Sequence, residues 1–169
     1  MRLPWLGCLL IASSAFAPAH AAADDDPGFC ATIRDVVQAS QTDFSRWRGK
    51  ARESASSSYD ATRALPRASD CRIERSPETR YTCDWEYGEN DEAAVRAAAT
   101  KFLDGMLDCL GDRVQEVRPH PESKTDRWQT TVLVVKDGAA SAAELRVTSG
   151  PGNSTWHVEF SANRKTVNR

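Results

Sequence analysis

Outside the apolar N-terminal run, which holds Cys8, the most reactive side chains of this chain are the thiols of Cys30, Cys71, Cys83 and Cys109. Thiols cross-link, bind metals or attack electrophiles. Zinc sites use close-spaced cysteine pairs, and redox dithiols use two cysteines separated by two residues. Neither spacing occurs, and no histidine stands at zinc-site distance in the sequence. Disulfides are the chemistry that remains, so these cysteines read as scaffold.

His157 and Glu159 alternate onto one side of an extended run, as an acid–base pair or two ligands would. Catalysis needs a nucleophile or a third ligand as well, and the run supplies none. His120-Pro121-Glu122 reads as a surface loop. The run Ser149-Gly150-Pro151-Gly152-Asn153-Ser154 is glycine-rich but lacks the Gly-Lys-Ser/Thr ending of a phosphate loop. There is no Gly-x-Ser-x-Gly elbow. No catalytic residue, metal or cofactor is therefore expected. Arg46, Arg48, Lys50 and Arg52 surround Trp47, and such a cluster suits an acidic partner. A solvated helix or loop is the plainer reading.

Residues 1–23 explain why disulfides are expected at all. Arg2 precedes an apolar run from Leu3 to Ala17. Small residues at Ala19, Ala21, Ala22 and Ala23 precede Asp24-Asp25-Asp26. This is the layout of a cleavable secretory signal, too short and wrongly flanked for a membrane span. Export to the periplasm or the extracellular space means an oxidising compartment. The formal charge of −2 argues against nucleic acid and against electrostatic docking on anionic lipid. Residues 24–162 suit a single domain, with 163–169 as a flexible tail.

The elements that must position these residues follow from periodicity. Residues 28–41 place Phe29, Ile33, Val36, Val37 and Ser40 at helical spacing, with Cys30 beside that face. Residues 45–69 are polar and weakly periodic, with Trp47, Tyr59 and Leu65 as anchors, and read as a long, partly ordered connection. Cys71, Ile73, Tyr81, Cys83, Trp85 and Tyr87 alternate with Arg72, Glu74, Arg80, Thr82, Asp84 and Glu86. Such alternation predicts two half-buried strands, joined here by Ser76-Pro77-Glu78. If Arg75 faces Thr79, Cys71 stands opposite Cys83, within disulfide reach.

Residues 91–110 form the strongest helix, with a stripe of Val95, Ala98, Ala99, Phe102, Met106, Cys109 and Leu110. Asn90 or Asp91 can cap its start, and Gly111 suits a left-handed stop. A connection carrying Pro119 and Pro121 runs to about Asp126. Strands are then expected over 128–135, 143–148 and 156–161, with turns at Asp137-Gly138 and Gly150-Pro151-Gly152-Asn153. Leu133 and Val135 point to the polar side of the first of these strands. That strand is expected to be central, or to have its second face covered by 45–69. No internal repeat is visible.

The predicted fold is a single α+β domain in the order α-β-β-α-β-β-β. An antiparallel sheet carries two helices on one face, and two disulfides, Cys71–Cys83 and Cys30–Cys109, hold it. The other sheet face is polar. It would gather Arg72, Glu74, Arg80, Asp84, Glu86, Glu144, Arg146, His157 and Glu159 as a candidate binding surface, with Trp47 and its basic neighbours nearby. These features imply an exported, non-catalytic protein-binding domain of inhibitor, immunity or accessory type. Its partner would be another envelope or secreted protein. The alternative is a small envelope enzyme or ligand carrier built around His157.

Overall fold

The computed structural model describes residues 28–52, 57–87, 92–122, 126–136, 139–149 and 156–165. The expectations for the leader 1–23, the helix cap at Asn90 or Asp91, and the turns at Asp137-Gly138 and 150–153 lie outside these residues.

Helix α1 spans Phe29–Ser40 and buries Phe29, Ile33, Val36, Val37 and Ser40, the stripe its periodicity predicts. Helix α2 spans Glu92–Leu110 and buries Val95, Ala99, Phe102, Met106, Cys109 and Leu110. Gly111 follows at φ +54°, a conformation that a residue with a Cβ adopts only at a cost. Among the described residues, eight strands form one antiparallel sheet. They are β1 (Arg48–Ala51), β2 (Ser58–Ala61), β3 (Asp70–Glu74), β4 (Arg80–Tyr87), β5 (Val114–Pro119), β6 (Asp126–Lys136), β7 (Ala139–Ser149) and β8 (Trp156–Lys165). Their order is β1-β2-β3-β4-β8-β7-β6-β5. Both helices pack on one face, against a core that includes Ile73, Tyr81, Val132, Leu145, Val147, Val158 and Phe160.

The α+β class, the antiparallel sheet and the two disulfides agree with expectation, but the sheet holds more strands. The segment 45–69 is not a loose connection. It contains a 3-10 turn, Ser45–Trp47, and then β1 and β2. β2 is specified by pairing with β3, through Tyr59 opposite Ile73 and Asp60 opposite Arg72. Such non-local pairing leaves little trace in a polar edge sequence. The connection after α2 likewise contains β5, an exposed edge strand where Pro119 at the terminus is tolerated. β7 begins at Ala139 because Ala139-Ala140-Ser141-Ala142 pairs with β6. Small residues give that stretch no periodic contrast. β8 runs to Lys165, so the first residues of the expected tail are strand, and Asn163 is buried.

β6 is not central. It lies next to the β5 edge, whereas the 45–69 strands lie at the opposite edge and cannot cover it. Leu133 stands on the outer face opposite Ala142 on β7, a small neighbour that leaves room for it to be half-buried.

The topology also shows a repetition that the sequence hides. α1, a 3-10 turn and the meander β1–β4 are followed by α2, a second 3-10 turn (Gly111–Arg113) and the meander β5–β8. The last strand of each half, β4 and β8, pair antiparallel at the sheet centre. The residues leaving the two 3-10 turns share one backbone conformation, φ −71° ψ 119° at Arg48 and φ −72° ψ 116° at Val114. The two halves thus build a sheet with approximate two-fold order.

Cys71 pairs with Cys83 in register across β3 and β4, with Cα atoms 4.2 Å apart. Cys30 at the start of α1 joins Cys109 at the end of α2, with Cα atoms 5.0 Å apart. This bond links the two halves. Beside it Arg34 Nε donates to the Cys109 carbonyl at 3.0 Å, which satisfies one of the free carbonyls at the end of α2.

Candidate functional site

Register decides which charges meet on the outer face. Across the middle of the sheet stand Asp60, Arg72, Thr82, Ser161, Glu144, Thr131 and Arg118, one from each successive strand from β2 to β5. The adjoining row is Asp70, Asp84, Glu159, Arg146 and Gln129. Glu86, His157 and Thr148 follow on one side, and Glu74 with Arg80 on the other. Arg72, Glu74, Arg80, Asp84, Glu86, Glu144, Arg146, His157 and Glu159 therefore share one face, because β7 and β8 form the hairpin that this requires.

Arg72 is the hub of this face. Its Nε donates to Glu74 Oε1 at 2.7 Å and its Nη1 to Asp84, while its Nη2 lies 3.8 Å from Glu159 Oε2. Burial alone would weaken its charge, but the hydrogen bonds to Glu74 and Asp84 outweigh that and raise the guanidinium above its ordinary pKa. Arg52 Nη1 donates to Asp70 at 2.9 Å, and that bond holds the Asp70 carboxyl below the usual range. Arg146 Nη2 donates to Glu144 at 2.5 Å, and Gln129 donates to the same oxygen at 2.8 Å. Asn163 donates to Glu78 at 2.6 Å. The face is a lattice of opposite charges that largely neutralise one another.

Glu159 is the exception. Burial, and then the neighbouring charge of Asp84, raise its pKa, and Arg146, Arg72 and Arg80 only partly oppose this. A raised folded-state pKa means stability that is fully present below the unfolded value and is lost as pH rises through the folded one. Glu159→Gln should therefore stabilise the protein at neutral pH, by roughly 0.5 kcal/mol, the scale of a surface substitution. The gain should vanish on acidification through the carboxylate range. Urea unfolding of both proteins at pH 7.5 and pH 4 checks this, and a Gln variant less stable at both pH values contradicts it.

His157 stands between Glu86 and Thr148 in register, two residues from Glu159. Among the described residues, Thr148 is its one cross-strand hydroxyl neighbour. No group of three or more His, Cys, Asp or Glu side chains is placed to hold a metal ion, again among the described residues. No helix described is long and apolar enough to cross a membrane. His120, read as a loop residue, extends the β5–β6 ladder through its amide, and its Nε2 lies 2.8 Å from Thr131 Oγ1.

Trp47 does not belong to this surface. It is 8% exposed on the helix side of the sheet, packed on Phe44 and edge-on to Tyr81 at 5.4 Å. Its basic neighbours do not act with it as a single surface cluster. Arg52 joins the outer lattice, and Arg48 donates to the Asp43 carbonyl at 3.0 Å. Trp47 instead walls a cleft of about 650 Å³ between α1 and the first 3-10 turn. Arg63 closes over its ring at 5.5 Å and pairs with Asp35. Sequence reasoning missed this cleft, because Asp35, Arg63 and Trp47 lie far apart along the chain and no motif joins them.

The site and fold together define a two-layer, disulfide-held α+β protein with a charged sheet face and a cleft beside Trp47. No protein family matches the chain, and no curated protein matches it.

Proposed function

We propose that this chain is an exported, non-catalytic protein-binding domain that acts through its outer sheet face. The observation that carries the reading is the register of β3, β4, β8 and β7, which gathers charged side chains of both signs on a face bearing neither helix. A broad patterned charge surface suits a protein partner, since complementary charges steer encounter and reject wrong partners. The two disulfides agree with an oxidising compartment, and the N-terminal leader pattern supports export to the periplasm or beyond. An inhibitor, immunity or accessory role in the envelope fits this arrangement.

Arg80 and Glu86 are the positions for a test. Each stands on the face without an intrachain ion pair among the described residues; Arg80 also stands opposite Glu74 and offsets part of the burial of Glu159, so thermal stability is measured with each reversal. The tagged protein, crosslinked in its own envelope fraction, should capture one stoichiometric protein. Arg80→Glu and Glu86→Lys should each reduce that capture about tenfold while thermal stability holds. Capture that survives both reversals, or recovery of a small molecule and no protein, overturns the proposal.

A further inference from the structure

The cleft beside Trp47 goes beyond this reading. In the second half of the fold, α2 runs directly into its 3-10 turn at Gly111. In the first half, four residues, Gln41 to Phe44, separate α1 from the equivalent turn. That insertion lines the cleft through Thr42 and Phe44, and its backbone is strained. Asp43 and Phe44 both adopt φ +51°, unfavourable for residues with side chains, most of all for a bulky one. Burial of Phe44, fully enclosed and stacked on Tyr81 at 5.6 Å, holds the conformation in place.

The walls are firmly tied. The amide and the hydroxyl of Thr62 donate to the Trp47 carbonyl at 2.8 and 3.1 Å. The Tyr81 hydroxyl donates to the Arg63 carbonyl at 3.1 Å. Ala39 and the exposed edge of Trp47 supply an apolar floor backed by the enclosed Phe44, and the charged lining residues are Asp35, Arg46 and Arg63. Among the described residues Asp35 pairs with Arg63 alone. Arg46 is exposed and has no ion pair among the described residues. The cleft therefore keeps an excess of positive charge beside an apolar floor, unlike the self-neutralised sheet face. Its volume, about 650 Å³, is that of a small-molecule site.

We infer that the cleft binds a small organic carboxylate with an apolar body. The body lies on the Ala39–Trp47 floor. The carboxylate accepts from Arg46 and from the guanidinium N–H groups of Arg63 that Asp35 leaves over, since a guanidinium carries five donors.

Phenylacetate is a suitable probe, followed by the indole N–H resonance of Trp47 in the purified, oxidised protein. The resonance should shift saturably with phenylacetate. The neutral isostere phenylacetamide, and inorganic phosphate, which lacks an apolar body, should each bind at least tenfold more weakly. Arg63→Gln should weaken phenylacetate about tenfold. Because Arg63 also packs on Trp47, Arg46→Gln provides the second variant. That side chain is exposed, its loss leaves the fold intact, and it should weaken binding several-fold. No saturable shift, phosphate binding equal to phenylacetate, or phenylacetate affinity unchanged in Arg46→Gln would each overturn the inference. The sheet-face proposal is read by protein capture and is untouched by any of these results.

Discussion

A Cys30→Ala/Cys109→Ala variant should lose about 4.5 kcal/mol of unfolding free energy, on the chain-entropy estimate for so long a closed loop. The two cysteines are 79 residues apart, so the bond removes much of the freedom of the unfolded chain. It also fastens the start of α1 to the end of α2, and so ties one half of the sheet to the other. The hairpin bond Cys71–Cys83 spans only 12 residues, and removing it should cost about 3 kcal/mol. A domain of this size has roughly 5–15 kcal/mol to lose, so the interhelix variant approaches the limit of folding. Urea unfolding of the oxidised proteins measures both losses. A hairpin variant that loses more than the interhelix variant would show that native-state packing, and not loop size, sets the effect.

Phe102→Ala should cost about 4 kcal/mol, near the upper end for a core aromatic. Phe102 is where the layers meet. Its ring lies 5.2 Å from Phe29 on α1, 5.3 Å from Trp85 on β4 and 5.6 Å from Phe160 on β8. Truncation removes the buried ring and leaves a cavity that three separate elements would have to close together. Phe102→Leu keeps most of the volume and should cost only about 1–1.5 kcal/mol. Denaturant unfolding at constant slope distinguishes the two variants. A loss below about 1 kcal/mol for the alanine variant would mean that α2 is not seated on the sheet as described.

Legibility along the chain follows the contrast between buried and exposed side chains. α2, α1, β3 and β4 carry large apolar residues at regular spacing, and each forms where that spacing places it. The strand register that sets Cys71 opposite Cys83 followed from alternation around a single turn. β1, β2 and β5 were invisible for a shared reason. They lie at or next to the sheet edges, where a strand needs no apolar face and is specified by the neighbour it bonds to. The alanine-rich start of β7 was missed because small side chains carry no periodic signal. The outer-face residues were legible as a set because strand geometry sends alternate residues to one side. Their ion-pair partners Arg52 and Asp70, contributed by the 45–69 segment and the start of β3, were not.

What the sequence determined by itself was local: two amphipathic helices, a hairpin with its disulfide, and the inward or outward sense of each strong strand. These follow from side-chain periodicity and from turns a few residues long. Only the tertiary structure decided the strand order, the pairing of β4 with β8, the approximate doubling of the fold, and the burial of Trp47 under Arg63. It alone formed the cleft, whose lining residues come from α1, the four-residue insertion that follows it, the first 3-10 turn and the two residues after β2. Such contacts arise when the core closes and brings distant residues together, and no spacing along the chain encodes them.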